Sequence, residues 1–216
     1  MDPTTRARLV SVNVGDVRTI VVAGRRFTTG IYKQPVAGSR RVAGVNLDGD
    51  HQADRRVHGG PTKSLYAYAF EDYEWWSGQL GRTLSPGTFG DNLTTAGITP
   101  AAAVVGERWA VGSAVLRVTE PRIPCFKLGV RMEDRRFPAR FAAAARPGTY
   151  LAIERAGAVA AGDAVAVIDR PDHGVTVGDI ERAYHVDRSL AVKLVGVAEL
   201  SDGWRGWARE VLRARA

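Results

Sequence analysis

Cysteine is almost missing from this chain: Cys125 is the only one among 216 residues. One thiol excludes an intramolecular disulfide framework, a cysteine-rich zinc site and an iron–sulfur cluster held by the chain's own thiolates. Long apolar runs are missing too, and none approaches the roughly 20 residues that a membrane-spanning helix needs. Residues Met1–Arg8 carry charge with no apolar stretch behind them, so no secretory signal is expected and the expected compartment is the cytoplasm. Lysine is scarce. Only Lys33, Lys63, Lys127 and Lys193 occur, so the excess of 30 basic over 23 acidic residues is carried by arginine. The basic residues come in scattered pairs (Arg25-Arg26, Arg40-Arg41, Arg135-Arg136) rather than one stripe, which argues against a nucleic-acid platform.

What is present reads as a folded domain, with 45% hydrophobic and 25% charged residues. Leu9 to Val14 alternates and stops at Gly15, the pattern of a half-buried strand. Arg18–Val22 and Arg26–Thr29 flank Ala23-Gly24 as a second strand pair. Trp109–Val111 and Ala114–Thr119 flank Gly112-Ser113 as a hairpin. Tyr150–Glu154 and Ala164–Ile168 give two further strands. One helix is expected from Glu71 to Leu80 and a short one from Phe137 to Ala144. Many short strands at this spacing suggest an all-β barrel or sandwich.

The period changes after the turn cluster Arg170-Pro171-Asp172-His173-Gly174. Thr176 and Asp179 form a capping-box pattern ahead of Ile180, Ala183 and Tyr184. Asp187 or Ser189 is a candidate cap for a second helix through Leu190, Leu194 and Val197, and Ser201 for a third. Trp204, Trp207, Ala208, Val211 and Leu212 share one face of the third. The expected organisation is a β domain over residues 1–170 and a small three-helix domain over 175–216.

Three loop clusters concentrate polar residues and turn formers: Gly49–Lys63, Gly87–Leu93 and Glu120–Leu128. In the last, Pro121 and Pro124 stiffen the approach to Cys125, and Arg122 and Lys127 flank it. Nearby cations favour a thiolate, which is both a nucleophile and a soft metal ligand, while a lone cysteine in apolar surroundings is merely a small core residue. In the first cluster, Gly59-Gly60 permits close backbone approach to a ligand, and Arg55, His58 and Lys63 add anion-binding donors. The alternative is a tight turn. Asn92 either closes an ordinary turn or offers an amide to a heterocycle. No G-x-S-x-G elbow, G-x-G-x-x-G fingerprint or G-K-[ST] phosphate loop occurs.

Taken in order, these segments resemble the MOSC domain family, named for the C-terminal domain of molybdenum cofactor sulfurase. The carrying residues are Gly30–Val36, Gly49–Asp54 through His58-Gly59-Gly60 to Lys63, Phe89–Leu93, Val105–Glu107 and Glu120–Leu128. The likeness is to the stand-alone bacterial branch associated with resistance to N-hydroxylated purines. It implies a mainly β fold, a pyruvate-kinase-type β-barrel followed by the small helical domain. It implies a pterin-based molybdenum cofactor (molybdopterin), with Cys125 as the molybdenum ligand. Lys33, Arg55, His58, Gly59, Gly60, Lys63, Asn92 and Arg122 become the expected cofactor-binding residues, and Cys125, His58, Asn92 and Asp91 the expected catalytic ones. Two departures stand out: Asp91 replaces the Glu common in the family, and the family's aromatic stretch near Pro147–Tyr150 is degraded.

The implied reaction is a two-electron reduction of an N–O bond, as in an N-hydroxylated purine, with the oxygen leaving as water. With one cysteine and no dinucleotide fingerprint, the chain is expected to draw electrons from a separate flavin or iron–sulfur reductase. Two other readings remain open. One is a non-redox carrier of sulfur or of the cofactor, using a Cys125 persulfide. The other is a DNA reader built on the C-terminal helices, against which Trp204 and Trp207 sit on a face suited to docking.

Overall fold

The alternating N-terminal segment forms β1 (Arg8–Val14) in the computed structural model, which describes residues 6–54 and 59–215. A bulge between Leu9 and Ser11 shifts its register, so that Ser11, Val12 and Asn13 are all buried. β2 (Arg18–Val22) and β3 (Arg25–Thr29) pair as an antiparallel hairpin. Their turn places Ala23 at φ 48° and Gly24 at φ 74°, the two positive values that a two-residue hairpin turn favours. β4 (Gln34–Pro35) extends the sheet beside β1, while β5 (Arg40–Ala43) and β6 (Asn46–Leu47) begin a smaller sheet.

β7 (Leu65–Ala69) runs directly into α1 (Phe70–Leu80), which ends at Gly81 in the left-handed conformation, φ 62°. The chain returns as β8 (Leu93–Ala96), parallel to β7. A parallel pair needs a crossover, and α1 supplies it. The remaining strands are β9 (Arg108–Val111), β10 (Ala114–Glu120), β11 (Thr149–Arg155), β12 (Gly157–Val159) and β13 (Val165–Asp169). Two short helices, α2 (Phe126–Arg131) and α3 (Phe137–Ala143), lie between β10 and β11.

The large sheet has the order β13-β9-β10-β11-β7-β8-β1-β4 and is antiparallel except at β7/β8. It is therefore a mixed sheet, where uniformly antiparallel pairing would have been the simplest outcome of the strand spacing. It curls into a half-barrel. Leu9 N–H donates to Asp163 O and Val165 N–H to Ala7 O, both at 2.8 Å, so the start of β1 reaches the start of β13. Leu65, Leu93, Trp109, Leu116 and Leu151 fill the interior. A second, aromatic cluster of Tyr68, Tyr73, Trp76, Phe89, Phe137 and Phe141 packs α1 and α3 onto the sheet. Burying each such ring contributes about 1.5–3 kcal/mol, which anchors both helices.

The C-terminal segment opens with α4 (Val177–His185), and its capping box is fully formed: Asp179 N–H donates to Thr176 Oγ1 and Thr176 N–H to Asp179 Oδ2. The second expected helix is instead a 3-10 segment, Arg188–Lys193, capped by Asp187. Val192, Val195 and Gly196 lower its α-helical propensity and account for the difference. α5 (Asp202–Arg213) follows Ser201, whose side chain makes no capping hydrogen bond. Ile180, Leu194, Trp204 and Ala208 share a core with Val105 and Ile123 from the sheet side. Among the described residues, no helix is long and apolar enough to cross a membrane.

Candidate functional site

Cys125 follows β10 in an extended conformation (φ −122°, ψ 172°), with Pro121 and Pro124 fixing φ on its approach. Its side chain is half-buried and lies on the wall of a cavity of about 640 Å³, open solvent included. Lys33, Lys63, Asn92 and Arg122 line the same cavity, so five of the expected site residues come together. Lys127 adds another cation.

Arg122 is buried, donates to the carbonyl of Phe89, and stands over the Tyr66 ring at 5.0 Å. Burial alone would weaken its charge. The neighbouring Tyr66, Tyr150 and Cys125 more than offset that, and hold its pKa above the usual guanidinium range. Tyr150 also faces the cavity, and burial pushes its hydroxyl up to about 12, so it is a neutral donor there.

Lys33 forms a buried ion pair with Asp50, whose Oδ1 also accepts from Gly15 N–H at 2.9 Å. Burial lowers the Lys33 pKa despite the attraction of Asp50. Asn92 has its amide engaged: Oδ1 accepts from Tyr66 N–H at 3.2 Å and Nδ2 donates to Asn13 O at 3.3 Å. It staples β1, β7 and β8 together on the cavity wall.

Asp91 is fully buried and is not on that wall. Its carboxylate accepts from Tyr73 Oη (2.5 Å), Thr94 Oγ1 (2.6 Å) and Asn13 Nδ2 (3.2 Å). Burial raises its pKa against these hydrogen bonds. The structure thus places it as a support behind Asn92, not as a group facing a reactant. Gly59 and Gly60 are buried and also lie off the wall; Gly60, at φ 86°, donates its N–H to Gln52 Oε1 at 3.2 Å. The amide expected to point at a ligand instead fastens a loop, as Gln52 also donates to the carbonyls of Val45 and Ser64. Arg55 and His58 fall outside the described residues.

Tyr66 and Tyr150 are two lining residues that were not among the expected site residues. Tyr66 sits in the apolar run Leu65-Tyr66-Ala67-Tyr68-Ala69, where nothing distinguishes it from Tyr68 in the core. Tyr150 had a signal, its place in the degraded aromatic stretch. Among the described residues, no group of three or more His, Cys, Asp or Glu side chains is placed to hold a metal ion.

A model of the MOSC domain matches residues 54–166. The chain is 32% identical over 203 residues to YflK of Bacillus subtilis (strain 168), covering 93% of this chain and 92% of that one. The crystal structure of YiiM from Geobacillus stearothermophilus is similar at a TM-score of 0.79 and 25% identity, covering 95% of this chain and 99% of that one. A protein named "Reductase" from Gibberella moniliformis (strain M3125 / FGSC 7600) is 26% identical over 213 residues; the match takes 95% of this chain and 37% of the fungal one. On these grounds the chain belongs to the MOSC domain family.

Proposed function

We propose that the protein is a molybdenum-cofactor-dependent reductase of N-hydroxylated substrates, such as N-hydroxylated purine bases. The observation that carries this reading is the half-buried Cys125 thiol on the wall of a cavity that also presents Lys33, Lys63, Arg122 and Lys127. That donor set fits a thiolate-bound metal carrying an anionic organic appendage. The fungal relative named as a reductase agrees with redox chemistry.

Cys125 Sγ would hold the metal. Lys127, Arg122 and Lys63 line the cavity as cations for the appendage's phosphate; Lys33 is paired with Asp50, and Lys63 also lies 3.5 Å from Glu120 Oε2. The neutral Tyr150 hydroxyl donates without adding negative charge. Asp91 acts from behind, fixing Asn13 and through it Asn92. When bound, the cofactor supplies two-electron reduction of the N–O bond, which consumes two protons and releases the amine and water. Electrons come from a separate flavin or iron–sulfur reductase, since the sequence offers neither a dinucleotide fingerprint nor thiols for a cluster. The cytoplasm, which keeps a lone thiol reduced, suits this chemistry. The same reading takes the half-barrel as the pyruvate-kinase type and residues 175–216 as an appended helical domain.

The test is elemental analysis of wild type and Cys125→Ser, expressed with molybdate in a host that makes the pterin cofactor. Molybdenum should co-purify with wild type and fall to background in the serine protein. Equal molybdenum in both, or a persulfide on Cys125 of a metal-free active protein, would overturn the reading.

A further inference from the structure

The β2–β3 hairpin stands outside the large sheet as a two-stranded unit. Such a hairpin is marginal alone in water, and two contacts help fasten it. Phe27 meets Phe126 of α2 edge-on, with ring centroids 4.9 Å apart, and the Arg18 guanidinium lies 5.2 Å from the Tyr32 ring centre. Thr29, the last residue of β3, and Lys127 of α2 both line the Cys125 cavity, so the hairpin and the start of α2 form part of its rim. Arg26, Phe27, Thr28 and Lys127 continue that rim as the wall of an open depression. Phe126, next to Cys125, is 46% exposed, and Val21 on the hairpin is 66% exposed.

Pairing in the hairpin sets Thr19 opposite Thr28 and Val21 opposite Arg26, so these four side chains share the outward face. All four are exposed. Charge on this rim is unbalanced. Several surface arginines elsewhere have carboxylate partners: Arg108 has Glu154 and Asp169, Arg140 has Asp134, and Arg205 has Asp202. Arg18, Arg25, Arg26, Lys127 and Arg131 gather here without one, among the described residues. Arg25 lies over Phe27 at 5.7 Å and Arg131 over Tyr32 at 5.0 Å, so aromatic rings rather than carboxylates hold them. Arg131 Nε is buried with no hydrogen-bond partner. Among its described lining residues the depression has one carboxylate, Asp54, and Asp16 at the foot of β2 is engaged by His51 Nδ1 at 3.1 Å.

Exposed apolar side chains, Val21 and Phe126, set among unpaired cations match a protein interface, where burial supplies affinity and charge supplies steering and register. A nucleic acid would use the cations and leave the apolar side chains idle. We propose that the outward face of the β2–β3 hairpin, with Phe126 and Lys127, docks an acidic electron-donor protein. That the partner supplies electrons rests on the proposed reductase function; that it is an acidic protein rests on the surface alone. Each N–O bond reduced takes two electrons from the donor, whose own cofactor is oxidised, and two protons from water.

The probe is a purified acidic flavodoxin, titrated into the full chain in a calorimeter at about 0.03 M and about 0.3 M salt. Binding should be saturable, and its Kd should rise at least about tenfold at the higher salt. Arg26→Glu and Arg18→Glu should each weaken it about tenfold, and Val21→Asp about fivefold. Arg205→Glu on α5, the same change in net charge, should leave it unchanged. Arg26 and Val21 point outward, so their variants decide the result if Arg18→Glu disturbs the fold. In the molybdenum-loaded protein, N6-hydroxyadenine turnover driven by reduced flavodoxin should fall in the same variants. Turnover driven by reduced methyl viologen, a small dye that needs no docking face, should not. No saturable flavodoxin binding, binding indifferent to salt, or equal affinity for wild type, Arg26→Glu and Val21→Asp overturns the proposal. So does tighter binding of a short DNA duplex that Arg26→Glu abolishes and Val21→Asp leaves intact. Absence of turnover with either donor, with rim-dependent flavodoxin binding intact, would sink the reductase reading and leave an acidic-protein docking surface standing.

Discussion

Lys33 and Asp50 form an ion pair whose side chains are only 8% and 1% exposed. Taking both charges out of water is costly, and the Lys33 pKa is lowered because burial outweighs the attraction of its partner. Removing one member should therefore hurt far more than removing both. Asp50→Asn should lose about 3–5 kcal/mol, because the ammonium is left buried without a counter-charge. Lys33→Met with Asp50→Asn should recover much of that loss. Urea midpoints for the two proteins check the order, and a double variant no better than Asp50→Asn would refute it.

Asp91 has three side-chain donors pointing at it, from Tyr73, Thr94 and Asn13. Asn in its place keeps the shape but turns an acceptor into a donor, leaving at least one of these groups facing another N–H. A cost of about 2–3 kcal/mol follows for Asp91→Asn, since a buried donor without a partner keeps its full desolvation penalty. The measurement is the urea midpoint with an unchanged m-value. A loss of under about 0.5 kcal/mol, the level of a surface substitution, would mean the network is not cooperative.

Glu181 gives a pH dependence of known sign. It is 2% exposed, and neither carboxylate oxygen has a hydrogen-bond partner among the described residues. Burial pushes its pKa up to about 7 from an ordinary 4.5. The folded protein therefore holds a proton there that the unfolded chain has released, so stability falls as pH rises through that window and levels off above about 7. The span corresponds to about 3 kcal/mol at most, reduced by any charge on His185, whose Nε2 lies 3.6 Å away. Glu181→Gln should remove this slope and melt higher than wild type at pH 8 by about 5 °C or more. Parallel melting curves at pH 5 and pH 8 for the two proteins would count against the assignment.

Legibility from sequence followed the physics of each element. Alternation revealed β1, and turn chemistry revealed the β2–β3 and β9–β10 hairpins, because one face of each is wet or the turn demands glycine. β7 and β8 were invisible. Every residue of both is buried, so no alternation marks them, and only their parallel pairing around α1 explains the mixed sheet. In the site, Cys125, Arg122, Lys33, Lys63 and Asn92 were found through motif resemblance and charge. Gly60 was read as ligand-facing because paired glycines permit close backbone approach, and Asp91 through the family resemblance, yet tertiary hydrogen bonds engage both inside the fold. Tyr66 gave no signal at all, since its role arises only when Arg122 is brought 56 positions back along the chain to its ring.

Gly148 ties backbone conformation to that same ring. Its φ is +64°, and an added Cβ would lie 2.5 Å from Ala67 O and 2.7 Å from the Tyr66 ring. Tyr66 has little room to yield, because its hydroxyl donates to Pro147 O at 2.7 Å and Arg122 covers its face at 5.0 Å. Gly81 is the natural comparison: its φ is +62°, and nothing lies within 4 Å of where a Cβ would stand. Gly81→Ala should therefore cost only the left-handed strain, about 1 kcal/mol. Gly148→Ala carries the same strain plus a backbone collision and displacement of Tyr66, and should cost about 3–4 kcal/mol. Tyr66→Phe on the Gly148→Ala background should restore only part of this, because it frees the hydroxyl but leaves the contact with the Ala67 carbonyl. Equal urea midpoints for Gly148→Ala and Gly81→Ala would show that the β7–β11 contact gives way more easily than this packing implies, and that Tyr66 can shift beneath Arg122 without cost.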